Sequence, residues 1–265
     1  MKKTFLLSCL MLAAMPVMAA YTGHVYVDKN KNGVFDQSEK PLAGIKVSDG
    51  LNVVETAADG SFTLPGHERE RFIFITTPSG YKTFNRHYHK IEKKQSGYDF
   101  GLIPYSGRIR KDGSHRYIHI TDTEIFNTEN HADWVNNVHD YARNEQAAFI
   151  IHTGDLCYEK GLKAHIKLMN TENMDCPVFY CIGNHDLVKG KYGEELFESI
   201  YGPVYYSFDA GNVHYVVTPM PGGDHAPGYT SDDVCRWLKN DLAHIRPGTP
   251  VVVFNHDLLT YEDTF

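Results

Sequence analysis

Groups that can bind a metal ion or transfer a proton recur directly after four apolar stretches of this sequence. Asp122 and Glu124 follow the first stretch, and Gly154-Asp155 follows the second. Gly183-Asn184-His185-Asp186 follows the third, and Asn255-His256-Asp257 follows the fourth. Carboxylate, amide and imidazole groups together suit divalent first-row metals of borderline hardness. Two such ions about 3.5–4 Å apart can activate a water for in-line displacement at phosphorus.

Each motif by itself has an ordinary structural explanation. Asp122 alone is typical of a turn or a cap, and His185 alone is typical of a core histidine with its hydrogen bonds satisfied. The repetition at four strand ends, in chain order, favours one shared site. Within that site Asp155 is the natural candidate for a carboxylate that bridges two ions.

The elements that must position these groups are strands alternating with helices. This alternation indicates a buried sheet covered by helices, and a hairpin near residue 211 makes the sheet mixed. Because ligands gather at the carboxyl ends of strands in layered α/β folds, the four motifs are expected to converge. The pattern predicts strands over 117–121, 149–152, 177–182, 204–208, 213–218 and 250–254, and helices over 129–141, 160–169, 193–201 and 231–244.

The residues before this region have a different pattern. Residues 21–105 contain short alternating stretches separated by turn signals, which indicates a small β-sandwich domain. Within them, residues 81–88 are predicted to be a solvated loop. Residues 106–116 are polar and basic with two glycines and are predicted to be a linker. The phosphorus chemistry is therefore assigned to a second domain, residues 117–265.

The net charge and the first twenty residues restrict the possible functions and the cellular location of the protein. The chain has 265 residues and a formal net charge of −7, which gives no support to a nucleic-acid-binding face. Residues 1–20 resemble a secretory signal peptide, with two lysines, an apolar core and a small-residue cleavage pattern. We therefore expect export to the periplasm or cell surface, with no transmembrane segment in the mature chain. Four of the five cysteines lie after residue 20, and these four are expected either to form disulfides or to remain buried free thiols.

The motif order resembles that of calcineurin-like metallophosphoesterases. The resemblance covers residues 116–265 and rests on Asp122-x-Glu124, Gly154-Asp155, Gly183-Asn184-His185-Asp186 and Asn255-His256. Residues 21–105 resemble the β-sandwich that precedes the catalytic domain in secreted Bacteroidetes-type members. The implied fold is a small N-terminal β-sandwich followed by a layered α/β domain of mixed sheets with flanking helices. The implied activity is hydrolysis of a phosphate ester, either a small molecule or a cell-envelope substrate.

The resemblance also implies roles for individual residues and two divalent transition-metal ions (Mn, Fe or Zn). Asp122 would bind the first metal, Asp155 would bridge both, and Asn184 and His256 would bind the second. His185 would stabilise or protonate the leaving oxygen, and Asp186 would orient His185.

Two departures from the family pattern favour an alternative, a non-catalytic surface-binding module on a degenerate phosphoesterase scaffold. The family has histidine where this chain has Glu124, which we still expect to bind metal. The family also continues to a Gly-His-x-His motif, whereas this sequence ends at Phe265. We therefore expect the second domain to be incomplete at its C-terminus. The nearly complete set of earlier motifs makes the hydrolase the preferred interpretation.

A separate loop fits the twelve-residue calcium-binding pattern in full. Oxygen ligands would come from six positions of this loop, with the backbone carbonyl at Val34 and a bidentate carboxylate at Glu39. The flanking residues alternate as strands, so this is not a helix–loop–helix site, and a plain turn rich in Asn, Asp and Gly is the alternative. The predicted ligands of a structural calcium ion are Asp28, Asn30, Asn32, Val34, Asp36 and Glu39.

Overall fold

The computed structural model describes residues 20–95 and 97–257. The predicted signal peptide, apart from Ala20, lies outside the described residues. Across the described part of the chain, no helix combines the length and apolar character needed to cross a membrane. The N-terminal unit contains the strands β1 (Tyr21–Val27), β2 (Lys40–Pro41), β3 (Lys46–Ser48), β4 (Val53–Glu55), β5 (Ser61–Leu64), β6 (Phe72–Ile75), β7 (Tyr81–Thr83), β8 (Tyr88–Lys90) and β9 (Phe100–Pro104).

These strands form two sheets that share one hydrophobic core. The first sheet has the order β2-β1-β9-β7, with β5 also paired to β1, and the second has the order β4-β3-β6-β8. Strands β1 and β9 pair in parallel, and the second sheet is antiparallel throughout. Val25 and Leu102 from the first sheet pack in the same buried cluster as Val47 and Ile73 from the second. The apolar faces of both sheets are thereby removed from water, which is the main stabilising contribution to such a unit.

The second unit contains two three-stranded sheets with helices. Strands β10, β11 and β12 are parallel, whereas β13 pairs antiparallel with β14, which pairs in parallel with β15. The prediction of a mixed α/β fold behind an N-terminal β unit is confirmed. Its elements are β10 (Tyr117–Ile120), α1 (Ala132–Asn144), β11 (Phe149–His152), α2 (Tyr158–Leu168), β12 (Val178–Tyr180), α3 (Glu195–Tyr201), β13 (Tyr206–Ala210), β14 (Val213–Val217), α4 (Ser231–Ala243) and β15 (Val251–Phe254).

Strand β11 lies at the centre of this unit and is buried along its whole length. Its alternate side chains point to opposite faces, as the two-residue strand period requires. Phe149 packs on the β13–β15 sheet, with its ring 5.0 Å from the rings of Phe208 and Tyr215. Ile150 packs on the other face, in a cluster with Val135 of α1 and Ala164 of α2. The β10–β12 sheet is therefore a middle layer, with α1 and α2 on one face and the β13–β15 sheet on the other.

The two units pack directly against each other. Trp237 of α4 is fully buried, and its ring lies 6.2 Å from the ring of Phe74 in β6. The backbone N–H of Asp209 donates to the carbonyl of Thr77 at 2.8 Å. The ammonium group of Lys46 lies 3.3 Å from the carboxylate of Asp209. The N-terminal unit is thus joined to the second unit by both apolar and polar contacts.

Two predicted segments differ from the structure. Residues 81–88, predicted as a solvated loop, contain β7 and the start of β8, and Tyr88 is buried. Strands of three residues are too short to give a two-residue period, and pairing with β9 and β6 supplies their hydrogen bonds. The predicted linker packs on the second unit, because Arg108 donates to the carbonyl of Ala147 and His115 bonds the hydroxyl of Tyr215.

Candidate active site

The predicted site residues lie in the loops that follow β10, β11, β12 and β15. The first three strands are parallel neighbours, so their carboxyl ends lie along one edge of the sheet. The backbone N–H of Asp122 donates to the carbonyl of Gly154 at 3.0 Å. The backbone N–H of His185 donates to the Asp155 carboxylate at 3.1 Å. These two bonds join the first three loops into one rigid edge.

The backbone at this edge is strained. Asp122, Glu124 and Asp155 have φ angles of 52°, 45° and 52°, a region that non-glycine residues seldom adopt. Gly183 follows β12 with no room for a side chain, since a Cβ there would lie 2.2 Å from the backbone nitrogen and the carboxylate of Asp155. Strain that a surrounding fold maintains is typical of functional sites, because it holds side chains in one orientation.

Asp122, Asp155 and His256 form a group that could hold a metal ion. One potential ligand atom from each lies within 4.8 Å of the others, and Asp155 is buried. The imidazole of His256 has Nδ1 2.8 Å from the carbonyl of Thr153. A carbonyl can only accept, so Nδ1 carries a proton, and in the neutral imidazole Nε2 then carries the lone pair. A backbone partner of this kind is the usual support for a metal-binding imidazole.

The Nε2 atom of His256 faces two further acceptors. Its distances are 3.2 Å to the side-chain oxygen of Asn184 and 3.5 Å to a carboxylate oxygen of Asp155. With a neutral imidazole, three electron-rich atoms converge here and repel one another, and a cation at their centre would relieve that repulsion. The donor set of carboxylate, amide oxygen and imidazole nitrogen therefore fits a divalent transition metal. Asn184 is thereby brought to the same centre as Asp155 and His256.

Glu124 does not join this group. Its side chain is exposed, and its carboxylate is absent from the cluster that Asp122, Asp155 and His256 form. Only its backbone contributes, through an N–H that donates to the carbonyl of Asp155 at 3.3 Å. The residue spacing assigns Glu124 to the correct loop but predicts nothing about the direction of its side chain.

His185 is held by a carboxylate that the sequence did not indicate. Its Nδ1 lies 2.9 Å from the carboxylate of Asp224, which belongs to the loop after β14. Its Nε2 lies 4.0 Å from the Asp155 carboxylate, and the ring of Tyr158 lies 5.3 Å away. The hydrogen bond with Asp224 is the main reason that the pKa of His185 is raised. The imidazole is therefore held by Asp224 at Nδ1, with Nε2 on the side of the metal-binding group.

Asp186 occupies a different place from the predicted one. We predicted that Asp186 orients His185, but its carboxylate accepts hydrogen bonds from the backbone N–H groups of Gly183 and Cys157, both at 2.9 Å. Asp186 is fully buried, and this burial raises its pKa to about 6 despite the backbone donors. Its carboxylate joins the loop after β12 to the loop after β11, so it shapes the turn that presents Asn184 and His185.

His152 also supports the site, although no motif pointed to it. It ends β11 and is fully buried, with Nε2 2.9 Å from the hydroxyl of Thr123 and Nδ1 3.2 Å from the backbone N–H of Gly154. Burial lowers its pKa to about 3. A neutral His152 therefore ties the loop after β10 to the loop after β11. Asp224 gave no signal either, because its loop has the composition of an ordinary turn.

In the predicted calcium loop, the carboxylates accept hydrogen bonds from N–H groups of the same loop. The carboxylate of Asp28 is buried and accepts from the backbone N–H groups of Asn32 and Gly33. Glu39 is buried as well and accepts from the backbone N–H groups of Lys29 and Asp36. The amide groups of Asn30 and Asn32 lie on the Asp36 carboxylate, and Val34 is exposed. The calcium ion remains a prediction.

Comparison with known protein families agrees with this arrangement. Residues 115–263, more than half of the chain, match the family model described as calcineurin-like phosphoesterase. Residues 29–104 match the model described as the N terminal of calcineurin-like phosphoesterase. A comparison with curated proteins gave no match. The chain therefore belongs to the calcineurin-like phosphoesterase family.

Proposed function

We propose that this protein hydrolyses phosphate esters by means of two divalent metal ions held at the ends of β10, β11, β12 and β15. Membership of the family supports a metal-dependent phosphoester hydrolase. The observation that carries the proposal is the convergence of the His256 Nε2 lone pair with the oxygens of Asn184 and Asp155. In the neutral imidazole Nε2 has no proton to donate to these oxygens, whereas a divalent cation at their centre would be bound by all three atoms.

The residues that would hold the metals are Asp122, Asp155, Asn184 and His256, with Mn, Fe or Zn as the candidate ions. When bound, the ions would activate a water molecule and neutralise the charge of the phosphoryl group. In support of a bridging role, a ligand atom of Asp155 lies within 4.8 Å of one from Asp122, proposed for the first ion, and of one from His256, proposed for the second. A bridging role for Asp155 agrees with that position.

His185 would act at the leaving oxygen of the substrate. Its imidazole is about one-third exposed and therefore accessible to a substrate, while Asp224 holds the opposite nitrogen. A positioned imidazole that carries a proton can donate it as the ester bond breaks. Tyr158 is exposed beside this ring and would contact the organic part of the substrate. We also propose export of the protein, on the basis of residues 1–20; sequencing the N-terminus of the mature protein tests it.

The test uses the full chain and the variant Asp155→Asn, with Asp133→Asn as the matched control. Asp133 is an exposed residue of α1. Manganese binding is measured by calorimetry, and hydrolysis is measured with p-nitrophenyl phosphate and bis-p-nitrophenyl phosphate. Loss of a ligating carboxylate is expected to weaken metal binding at least about 100-fold, since even supporting residues cost 10–100-fold. Hydrolysis should fall with it, while Asp133→Asn should match the wild type.

The two substrates separate monoesterase from diesterase activity. A wild-type protein that binds no metal and cleaves neither substrate would contradict the proposal. That result would support the alternative, a non-catalytic binding module on a phosphoesterase scaffold. Hydrolysis that persists unchanged in Asp155→Asn would contradict the assignment of the metal site.

A further inference from the structure

A buried ion cluster connects the N-terminal unit to the loop that carries Asp224. Arg71, directly before β6, extends its guanidinium group into the second unit. The guanidinium contacts Glu194 at 2.8 Å and Glu198 at 2.7 Å, and it lies over the ring of Tyr192. Both carboxylates are removed from water, with 0% and 4% of their side chains exposed. Arg71 is the cation that neutralises them, and it contacts both.

Glu194 in turn holds the loop formed by residues 219–228, here called the 219–228 loop. The backbone N–H of Gly228 lies 3.1 Å and 2.9 Å from the two carboxylate oxygens of Glu194. The neighbouring N–H of Gly193 donates to the carbonyl of Ala226 at 2.8 Å. The C-terminal end of the 219–228 loop is therefore held by the residue that Arg71 neutralises.

The centre of the same loop reaches the candidate active site. The backbone N–H of Asp224 donates to the carbonyl of Asn184 at 3.1 Å, and the Asp224 side chain bonds Nδ1 of His185 at 2.9 Å. Gly223 lies against the same turn, since a Cβ there would be 2.6 Å from the carbonyl of Asn184. A small displacement of the loop would therefore change the position of His185.

We propose that the N-terminal unit takes part in catalysis, because its Arg71 holds Glu194, Glu194 holds the 219–228 loop, and Asp224 in that loop fixes the imidazole of His185. Asp224 and Arg71 are thus positioning residues. This inference rests on the proposed function for its catalytic part. The contacts from Arg71 to the loop can be tested without any activity.

The test compares Arg71→Met and Asp224→Asn with Lys46→Met. Lys46 is a suitable control because its ion pair with Asp209 also joins the two units but has no contact with the 219–228 loop. Hydrogen exchange of the backbone amides of residues 222–230 is followed by mass spectrometry. Arg71→Met is expected to speed exchange in this loop at least tenfold, whereas Lys46→Met should leave it unchanged.

The second readout is the ratio of kcat/KM for p-nitrophenyl phosphate to that for phenyl phosphate. The leaving oxygen of phenyl phosphate is more basic, so its departure depends more on a proton from His185. Arg71→Met and Asp224→Asn should both increase the ratio at least tenfold. A general loss of structure would lower both rates together and leave the ratio constant. Arg71→Lys keeps the charge and should give smaller effects of the same sign, which covers the case in which Arg71→Met folds poorly.

The outcomes separate the inference from the proposed function. If Arg71→Met and Lys46→Met give the same exchange and the same ratio, Arg71 only joins the two units and the inference is overturned. Normal exchange in Arg71→Met combined with an altered ratio would also overturn the role of the loop. If the wild type hydrolyses neither ester, the catalytic part fails with the proposed function. The exchange data then still decide whether Arg71 holds the loop.

Discussion

Replacement of Glu198 by glutamine is expected to remove one contribution to the pH dependence of the protein's stability. Glu198 lies in α3 with 4% of its side chain exposed, and it accepts hydrogen bonds from Arg71 and Tyr192. Burial raises its pKa from 4.5 to about 7, although Arg71 acts in the opposite direction. A glutamine in its place keeps the size of the side chain and an oxygen acceptor for Arg71, but it has no proton to lose.

The magnitude follows from the difference between the folded and unfolded pKa values. Because the folded pKa is the higher one, the folded state holds the proton more tightly. The contribution of protonated Glu198 to the free energy of unfolding is fully present below about pH 4.5 and is lost as the pH rises to about 7. Each pKa unit corresponds to 1.36 kcal/mol, so the complete loss is about 3 kcal/mol, of which about 2–3 kcal/mol falls between pH 5 and pH 8.

The assay is urea unfolding of wild type and Glu198→Gln at pH 5 and pH 8, followed by the fluorescence of the buried Trp237. The free energy of unfolding of Glu198→Gln should rise by about 2–3 kcal/mol relative to the wild type between these two pH values. Glu172→Gln changes an exposed carboxylate and serves as the control, with no such gain expected. If the free energies of unfolding of Glu198→Gln and wild type change in parallel with pH, the raised pKa of Glu198 is wrong.

Two further predictions concern the metal sites. In Gly183→Ala the new Cβ would lie 2.2 Å from the Asp155 carboxylate and must displace it, so manganese affinity measured by calorimetry should fall at least about tenfold. Gly222→Ala adds a methyl group where nothing lies within 4 Å and is the matched control; equal affinities in the two variants would contradict the placement of Asp155. If the loop at Asp28 binds calcium, a concentration of ten times Kd should stabilise the wild type by about 1.4 kcal/mol and raise its Tm, whereas Asp28→Asn should respond much less. If millimolar calcium leaves the Tm of the wild type unchanged, the calcium prediction is wrong.

The order of the chemical groups could be predicted from the sequence because it depends on local features. Each strand near the site is a short apolar run, and each run ends in a carboxylate, an amide or an imidazole group. The continuous apolar stretch 149–151 belongs to β11, which is covered on both faces and therefore shows no alternation of polar residues. A pattern of this kind is sufficient to expect that Asp122, Asp155 and His256 lie at one site.

The partners of the proposed catalytic groups could not be predicted in the same way. Asp186 is next to His185 in the sequence, yet Asp224, 39 positions away, makes the contact with the imidazole. Glu124 occupies a motif position, but its side chain is exposed and its carboxylate lies outside the group that Asp122, Asp155 and His256 form. Sequence spacing predicts which element a residue belongs to, whereas the backbone conformation of each loop decides where its side chain points.

The sequence by itself thus determined the strand and helix alternation, the chemical type of the site and the residues available to bind metal, since these follow from side-chain chemistry and short-range periodicity. The tertiary structure alone decided that Asp224 supports His185, that His152 joins two loops, and that Arg71 reaches Glu194 and Glu198 across the interface between the units. Arg71 is separated from those carboxylates by 123 and 127 positions. Contacts over such separations arise only when the packing of whole elements brings side chains together, and no local pattern in a single sequence encodes them.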